Sequence, residues 1–505
     1  MAEVPTEIKD LVEKFERNLD AYKNSSYKEE QLKQEFINPF FKALGWDVDN
    51  VSGAAPQYRD VIFEDSIKVT GGKAPKAPDY CFTLAGRKMF FVEAKKPSVD
   101  INTNKEAAYQ LRRYAWSAKL PLSILTDFKE LAVYESRIRP KPHDNANVER
   151  IKIINYKDYA DKWDYIYSRF SKNAVLQGSF DKFAESTKNK RGTTQVDDAF
   201  LSEIEGWREL FAKNIALRNP EISIEELNYS VQQIIDRIVF LRMCEDRGVE
   251  KYEQLRDLLN NDDIYHHFGE ICLNADLKYN SGLFHFKEEK GRGTSPDTLT
   301  LDLKIDDRVF KTIIKDLYYP NSPYEFSVLS PEILGNVYEQ FLGKVIRLTD
   351  GHHAKIEEKP EVKKAGGVYY TPQFIVDYIV ENTVGELCKG KTPNKVSQLR
   401  ILDPACGSGS FLIGAYNFLL KWHLDYYNNL KDKKRLKDII YEVKKDEWHL
   451  TVKEKKHILL NNIYGVDIDH QAVEVTKLSL LLKVLEGENK DVLEAQQKLF
   501  KERAL

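Results

Sequence analysis

Asp79, Glu93 and Lys95 are the first residues whose types and spacing suit chemistry. They lie in Pro78-Asp79-Tyr80-Cys81-Phe82-Thr83-Leu84-Ala85-Gly86-Arg87-Lys88-Met89-Phe90-Phe91-Val92-Glu93-Ala94-Lys95, two strand-like runs joined by a glycine-containing turn. With the turn centred near Gly86, positions whose numbers sum to about 172 face one another, which sets Asp79 opposite Glu93. Glu93 and Lys95 are two apart and share a strand face, so three charged side chains converge. Paired carboxylates can hold Mg²⁺ through oxygen ligands, and an adjacent lysine can position or activate a water for phosphodiester attack. A solvated edge strand is the plainer explanation of such charges. Against it, Phe90-Phe91-Val92 marks the strand as buried, and an unpartnered acid at its end would be costly.

The second stretch is Leu402-Asp403-Pro404-Ala405-Cys406-Gly407-Ser408-Gly409-Ser410-Phe411. Arg400-Ile401-Leu402 reads as a strand and Phe411–Leu420 has helical spacing, with two glycines permitting a tight turn between them. Such a turn aims free N–H groups and the positive end of a helix dipole at a carboxylate or phosphate. Downstream, Asn462-Ile463-Tyr464-Gly465-Val466-Asp467-Ile468-Asp469 reads as a strand ending in acids, where Asp467 can accept hydrogen bonds from ribose hydroxyls.

The string Asp403–Phe411 resembles the S-adenosylmethionine loop of the DNA adenine-N6 methyltransferases of restriction-modification systems. The resemblance implies cofactor contacts from Asp403, Ala405, Gly407, Gly409 and Phe411, with Asp467 and Ile468 as the second contact. Tyr370-Thr371-Pro372 matches the Tyr-Thr-Pro motif of the same family, which borders the methionine end of the cofactor. Asp403 and Asp467 are 64 positions apart, against about 20 in a simple Rossmann unit. We assign the excess to a lysine-rich helical insert around Tyr426–Lys456.

The Asp79 hairpin resembles the PD-(D/E)xK nuclease fold, with Asp79 and Glu93 matching its metal positions and Lys95 its catalytic lysine. Gln110 and Tyr114 resemble the Gln-x-x-x-Tyr feature of restriction-enzyme nuclease domains, in a structural or a DNA-contacting role. An acid from the first helix often joins such sites; Glu30 and Glu35 both qualify and the sequence does not choose between them. Ile333–Gly343 looks like the helical segment that precedes the methyltransferase in type I and type IIG proteins.

Three domains are expected to position these residues: 1–185 as an α/β PD-(D/E)xK nuclease, 186–345 as an all-α connector, and 346–505 as a partial Rossmann-like α/β methyltransferase. In the first, Lys28–Leu44 carries a helical apolar stripe that Pro39 should kink or split. Val51–Lys76 reads as loop, Leu122–Thr126, Leu131–Tyr134 and Ile151–Ile154 as strands, and Tyr156–Phe183 as aromatic-rich helices. Polar Ser186–Gln195 is a linker. Phe200–Asn214, Ile224–Glu245 and Lys251–Leu259 follow as helices, with Arg237 and Arg242 able to meet phosphates but more commonly explained as a charged outer face. Asn321-Ser322-Pro323-Tyr324 resembles the Asn-Pro-Pro-Tyr tetrad that holds a flipped adenine, but its second residue is wrong and it reads as a turn. Ser330 and Pro331 should start a helix, as should Thr371 as N-cap with Pro372 at the first helical position. Ala472–Leu485 makes a strongly apolar helix, and with sheet strands missing its surface should be undercovered.

Composition excludes little. At 505 residues, with 42% hydrophobic and 31% charged residues, the chain suits several globular domains. No apolar run is long enough for a bilayer and no secretory leader is evident, so a cytoplasmic protein is expected. Five scattered cysteines argue against a zinc site or a disulfide framework, and a net charge of −3 leaves DNA binding to local patches.

The resemblance covers nearly the whole chain and implies the N-terminal part of a type IIG restriction-modification protein. Such a protein joins a Mg²⁺-dependent endonuclease to a site-specific adenine methyltransferase, with double-stranded DNA as partner and phage defence as role. No Asn-Pro-Pro-Tyr tetrad or target-recognition domain follows Asp467, so cofactor binding and nicking are expected without methyl transfer, and a C-terminal portion is expected to lie elsewhere. The alternative is a non-catalytic DNA-binding module that senses S-adenosylmethionine in a defence complex. A small-molecule or protein methyltransferase also fits the glycine loop but leaves the Asp79 hairpin unexplained.

Overall fold

A computed structural model describes residues 3–488 except 55–58, 64–77, 85–86, 187–195, 280–282, 289–295, 330–343, 359–370, 431–432, 445–446 and 487. It is a multidomain α/β protein that divides into two compact units: Met1–Lys68, Lys76–Val196 and Tyr319–Leu329 form the first, and Val69–Pro75, Asp197–Tyr318 and Ser330–Leu505 the second. Among the described residues no helix is long and apolar enough to cross a membrane.

The first unit is built on one six-stranded sheet, β1 (Val61–Ile62), β2 (Tyr80–Leu84), β3 (Arg87–Ala94), β4 (Leu122–Thr126), β5 (Glu130–Glu135) and β6 (Arg150–Asn155), in that spatial order. All neighbours are antiparallel except β3 and β4, which run parallel because the Lys105–Ser117 helix connects them. Alternation along β2 and β3 sends side chains to two cores. Phe82, Phe90 and Val92 join Phe36, Phe41, Phe128 and Trp163 on one face, while Cys81 and Phe91 pack with Leu111 and Tyr114 of the crossover helix on the other.

One expectation for this unit needs correction. Val51–Lys76 is not all loop, since β1 pairs with β2 through Val61↔Phe82 and Ile62↔Cys81; two residues are too few to show a period-2 pattern. Pro39 marks a second short helix, as one of the two expectations had it, standing in the first turn of Asn38–Ala43. Helical turns at Glu29–Leu32 and Asn38–Ala43 are joined by a π-turn, Lys33–Ile37, which absorbs the hydrogen bond that Pro39 cannot make. The segment around Asn321–Tyr324 is irregular and clasps the crossover helix: the Tyr109 hydroxyl donates to the Pro320 carbonyl at 2.9 Å, and Ser117 Oγ accepts from the Glu325 N–H at 2.9 Å.

The second unit holds the long helices Val196–Arg218 and Ile224–Asp246, the antiparallel pair β7 (Lys344–Leu348) and β8 (Ala354–Glu358), and a glycine-loop region. In that region β9 (Ile401–Asp403) lies parallel to β12 (Ile463–Gly465), covered by the Ser410–Asn428 helix. Arg237 and Arg242 are not on an outer face but buried: Arg237 donates to Asp297 at 2.7 Å and to the Leu283 carbonyl at 3.0 Å, and Arg242 pairs with Asp246. Most of the Ile224–Asp246 helix is buried, so it has no solvent face to give them.

The insert before β12 is not all helix, because β10 (Ile440–Lys444) and β11 (Glu447–Leu450) form a hairpin that buries Ile440 and Leu450. The His470–Val484 helix is well covered, with Val475, Leu478 and Leu482 buried and the Ile224–Asp246 helix packed against it. Exposed apolar residues lie elsewhere in the unit, among them Leu402, Tyr464, Val466 and Ile468 on and after the parallel pair and Phe374 and Tyr378 on the Gln373–Val380 helix. The helix after Pro372 starts at Gln373, with extended Pro372 as a cap lacking a side-chain bond, rather than at Pro372 itself. Of the Lys251–Leu259 helix only Gln254–Asp257 is α-helical. Gly86, Ser330, Pro331, Ile333–Gly343 and nearly all of the linker lie outside the described residues.

Candidate functional site

At the site end the β2–β3 register is the expected one, Tyr80↔Val92, Cys81↔Phe91 and Phe82↔Phe90 each summing to 172, while a register shift between Phe82 and Thr83 sets the turn end off by one. One step further, Asp79 and Glu93 stand at the same end of the hairpin, where Asp79 Oδ2 accepts the Ala94 N–H at 2.8 Å. Lys95 Nζ donates to Glu93 Oε1 at 2.6 Å, and Gln110 Nε2 reaches the same oxygen at 3.5 Å and the Tyr114 hydroxyl at 3.1 Å. The structure thus brings Asp79, Glu93, Lys95 and Gln110 together.

Glu93 is 3% exposed and its second carboxylate oxygen, Oε2, is buried without a hydrogen-bond partner. Burial, reinforced by the Asp79 carboxylate, pushes its pKa up to about 7. Burial acts against the Lys95 ammonium, but the Glu93 and Glu29 carboxylates outweigh it and hold the lysine above its ordinary range. Lys95 is therefore a cation at neutral pH, suited to orienting a water or stabilising developing negative charge.

Sequence reasoning offered Glu30 or Glu35 as the helical acid, and the structure turns toward a third residue. Glu29 lies 3.9 Å from Lys95 Nζ, and burial followed by the Asp79 charge raises its pKa. Glu30 is exposed and pairs with Lys33 at 2.7 Å, while Glu35 pairs with Lys14. Lys33 was also missed, although its i,i+4 spacing from Glu29 was a visible signal. Its Nζ stands 2.5 Å from Asp79 Oδ1.

Among the described residues no group of three or more His, Cys, Asp or Glu side chains is arranged as a ready metal cage. The donor set still suits Mg²⁺, which usually takes one or two carboxylates and fills its other positions with water and phosphate oxygens. An orphaned Glu93 oxygen beside Asp79 is such a pair of donors.

In the second unit Gly407 (φ 51°) and Gly409 (φ 85°) both take left-handed backbone. A Cβ on Gly409 would lie 2.6 Å from Thr476 Cγ2, and one on Gly465 would lie 2.6 Å from Leu412 Cδ1. The loop is fastened from below: Thr476 Oγ1 donates to the Gly407 carbonyl at 2.9 Å and the Cys406 N–H to the Val466 carbonyl at 2.9 Å. Asp403 Oδ1 accepts the Ala405 N–H at 3.1 Å, while Phe411 packs against the core beneath the loop. Asp467 closes the other side, its two oxygens accepting N–H bonds from Gly407 and Asp469 at 2.8 Å each. Each oxygen keeps a second lone pair for a ligand. Ile468 is fully exposed beside it. Thr371 and Pro372 lead into the Gln373–Val380 helix, and Tyr370 lies outside the described residues.

Residues 386–503 match the family described as "MmeI, DNA-methyltransferase domain". Over 483 residues, 96% of this chain and 47% of the relative, the sequence is 38% identical to the type II restriction enzyme and methyltransferase RM.Eco57I of Escherichia coli. The chain is similar over most of its length to part of a type II restriction enzyme and methyltransferase. It is also 28% identical, over 53% of its length and 26% of the relative, to a putative type II restriction enzyme and methyltransferase, RM.MjaORFECS2P, of Methanocaldococcus jannaschii. Among solved structures, the type IIG restriction endonuclease BpuSI matches at a TM-score of 0.27 and 12% identity over 90% of this chain and 41% of that one, too loosely to carry an argument. The chain thus spans less than half the length of these relatives.

Proposed function

We propose that the chain carries two separate sites of a restriction-modification protein: a Mg²⁺-dependent DNA endonuclease site at Asp79, Glu93, Lys95 and Gln110, and an S-adenosylmethionine site at Asp403–Phe411 with Tyr370, Thr371, Pro372, Asp467 and Ile468. In this reading residues 1–185 are a PD-(D/E)xK nuclease, 186–345 a helical connector and 346–505 the cofactor half of a Rossmann-like adenine-N6 DNA methyltransferase. The observation that carries it is the buried, half-partnered Glu93 facing Asp79 and Lys95, in a chain that also holds a left-handed glycine loop between a parallel strand and a helix.

Asp79 and Glu93 would hold the cation, which when bound supplies Lewis-acid stabilisation of the phosphodiester's developing charge. Lys95 orients the attacking water, and Gln110 steadies Glu93 from the crossover helix. At the second site the positive end of the Ser410–Asn428 helix favours the cofactor's carboxylate, and Asp467 takes a ribose hydroxyl. Methyl transfer to adenine would belong to a longer protein carrying an Asn-Pro-Pro-Tyr segment and a recognition domain. The exposed Leu402, Tyr464, Val466 and Ile468 support this, because parallel strands are ordinarily covered on both faces.

Supercoiled plasmid tests the nuclease half. Mg²⁺-dependent nicking that disappears in Asp79→Ala and Lys95→Ala supports it, and nicking that survives both changes overturns it. A chain that binds S-adenosylmethionine but never cleaves would favour the sensing-module reading.

A further inference from the structure

Asp79 and Glu93 differ in how their oxygens are engaged. Asp79 Oδ2 is committed to the Ala94 N–H at 2.8 Å and Glu93 Oε1 to Lys95 at 2.6 Å, leaving Asp79 Oδ1 and Glu93 Oε2 as the pair for a shared cation. Glu93 Oε2 is buried and unpartnered, while Asp79 Oδ1 is capped by Lys33 Nζ at 2.5 Å. The Lys33 side chain is only 14% exposed, so this ammonium is part of the site rather than a passing surface contact.

We propose that Lys33 is a positioning residue that stands in for the cation, holding Asp79 in place while the metal position is empty and ceding Oδ1 when a divalent ion enters. This rests on reading Asp79 and Glu93 as the cation's ligands. A second seat is already built. Glu30 Oε1 lies 2.7 Å and Glu29 Oε1 4.0 Å from the same Nζ, so the ammonium can leave Asp79 without losing all its partners. The charge balance gives the device its purpose. Glu29, Asp79 and Glu93 would repel one another strongly if left uncompensated, and the two lysines offset them until a cation does. The consequence is a weakened metal site, because a divalent ion must displace a bonded ammonium and bear its residual repulsion. Occupancy then favours the DNA-bound state, in which phosphate adds negative charge.

Mn²⁺ titrated into the DNA-free chain, followed by electron paramagnetic resonance of the free ion, reads this without any cleavage. The expected result is affinity on the order of tenfold tighter in Lys33→Met than in wild type, with Lys33→Arg close to wild type. Lys33→Gln repeats the measurement if Lys33→Met does not fold. Equal or weaker binding in the neutral variants overturns the role of Lys33, provided Asp79→Asn abolishes binding. If Asp79→Asn binds Mn²⁺ as wild type does, the cation reading of the site falls, and the Lys33 inference with it.

Discussion

Glu93 ties function to stability through one proton. Its folded-state pKa of about 7 lies above the ordinary carboxylate range, so the folded protein binds this proton more tightly than the unfolded chain. Stability from this group is therefore full in acid and declines as pH rises toward about 7. Glu93→Gln is expected to be more stable than wild type at pH 8 by roughly 1–3 kcal/mol, the difference vanishing below the unfolded carboxylate range, as denaturant titration at several pH values would show. Cation binding should run the other way and strengthen through neutrality as Glu93 ionises. At the glycine loop, Gly409→Ala puts a methyl 2.6 Å from Thr476 Cγ2 on a backbone with φ 85°. It should cost about 1–3 kcal/mol and weaken S-adenosylmethionine binding by an order of magnitude or more, measured by calorimetry.

Among elements, the hairpin was legible and the first helix was not. A glycine between two apolar runs placed the hairpin, but the pairs nearest the turn sum to 171, and the register shift between Phe82 and Thr83 is what brings Asp79 level with Glu93. The sequence did not choose the helical acid because the phase of a helix must be known to within one residue. Glu29 and Glu30 point about 100° apart, and the Lys33–Ile37 π-turn shifts the phase again before Glu35. Arg237 and Arg242 misled for a different reason: in sequence they look like a solvated stripe, and the partner that buries Arg237, Asp297, is 60 residues away. Removing Arg237 would strand that acid in the core. Arg237→Ala should cost roughly 3–5 kcal/mol, seen as a lowered urea midpoint, whereas Lys213→Ala on the exposed Glu209 pair should change little. The β10–β11 hairpin was hidden by its short strands, five and four residues with few apolar positions, set in a lysine-rich stretch that reads as helix.

Taken whole, the chain holds its two candidate chemistries in different compact units, Asp79 and Glu93 in the first and Asp403–Phe411 in the second. Sequence order alone could separate them, but which surface is covered depended on packing between helices far apart in the chain. The apolar His470–Val484 helix is sheathed by Ile224–Asp246, and exposed apolar residues fall instead at places that include β9, β12 and the Gln373–Val380 helix. Labelled S-adenosylmethionine should therefore bind this chain while adenine methylation of DNA stays at background, as a filter assay for transferred methyl groups would register. The most direct single test is Mg²⁺-dependent plasmid nicking, without added S-adenosylmethionine, by wild type, Asp79→Ala and Gly409→Ala side by side. The expected result is cleavage by wild type and Gly409→Ala and none by Asp79→Ala; cleavage by Asp79→Ala at the wild-type rate would contradict it.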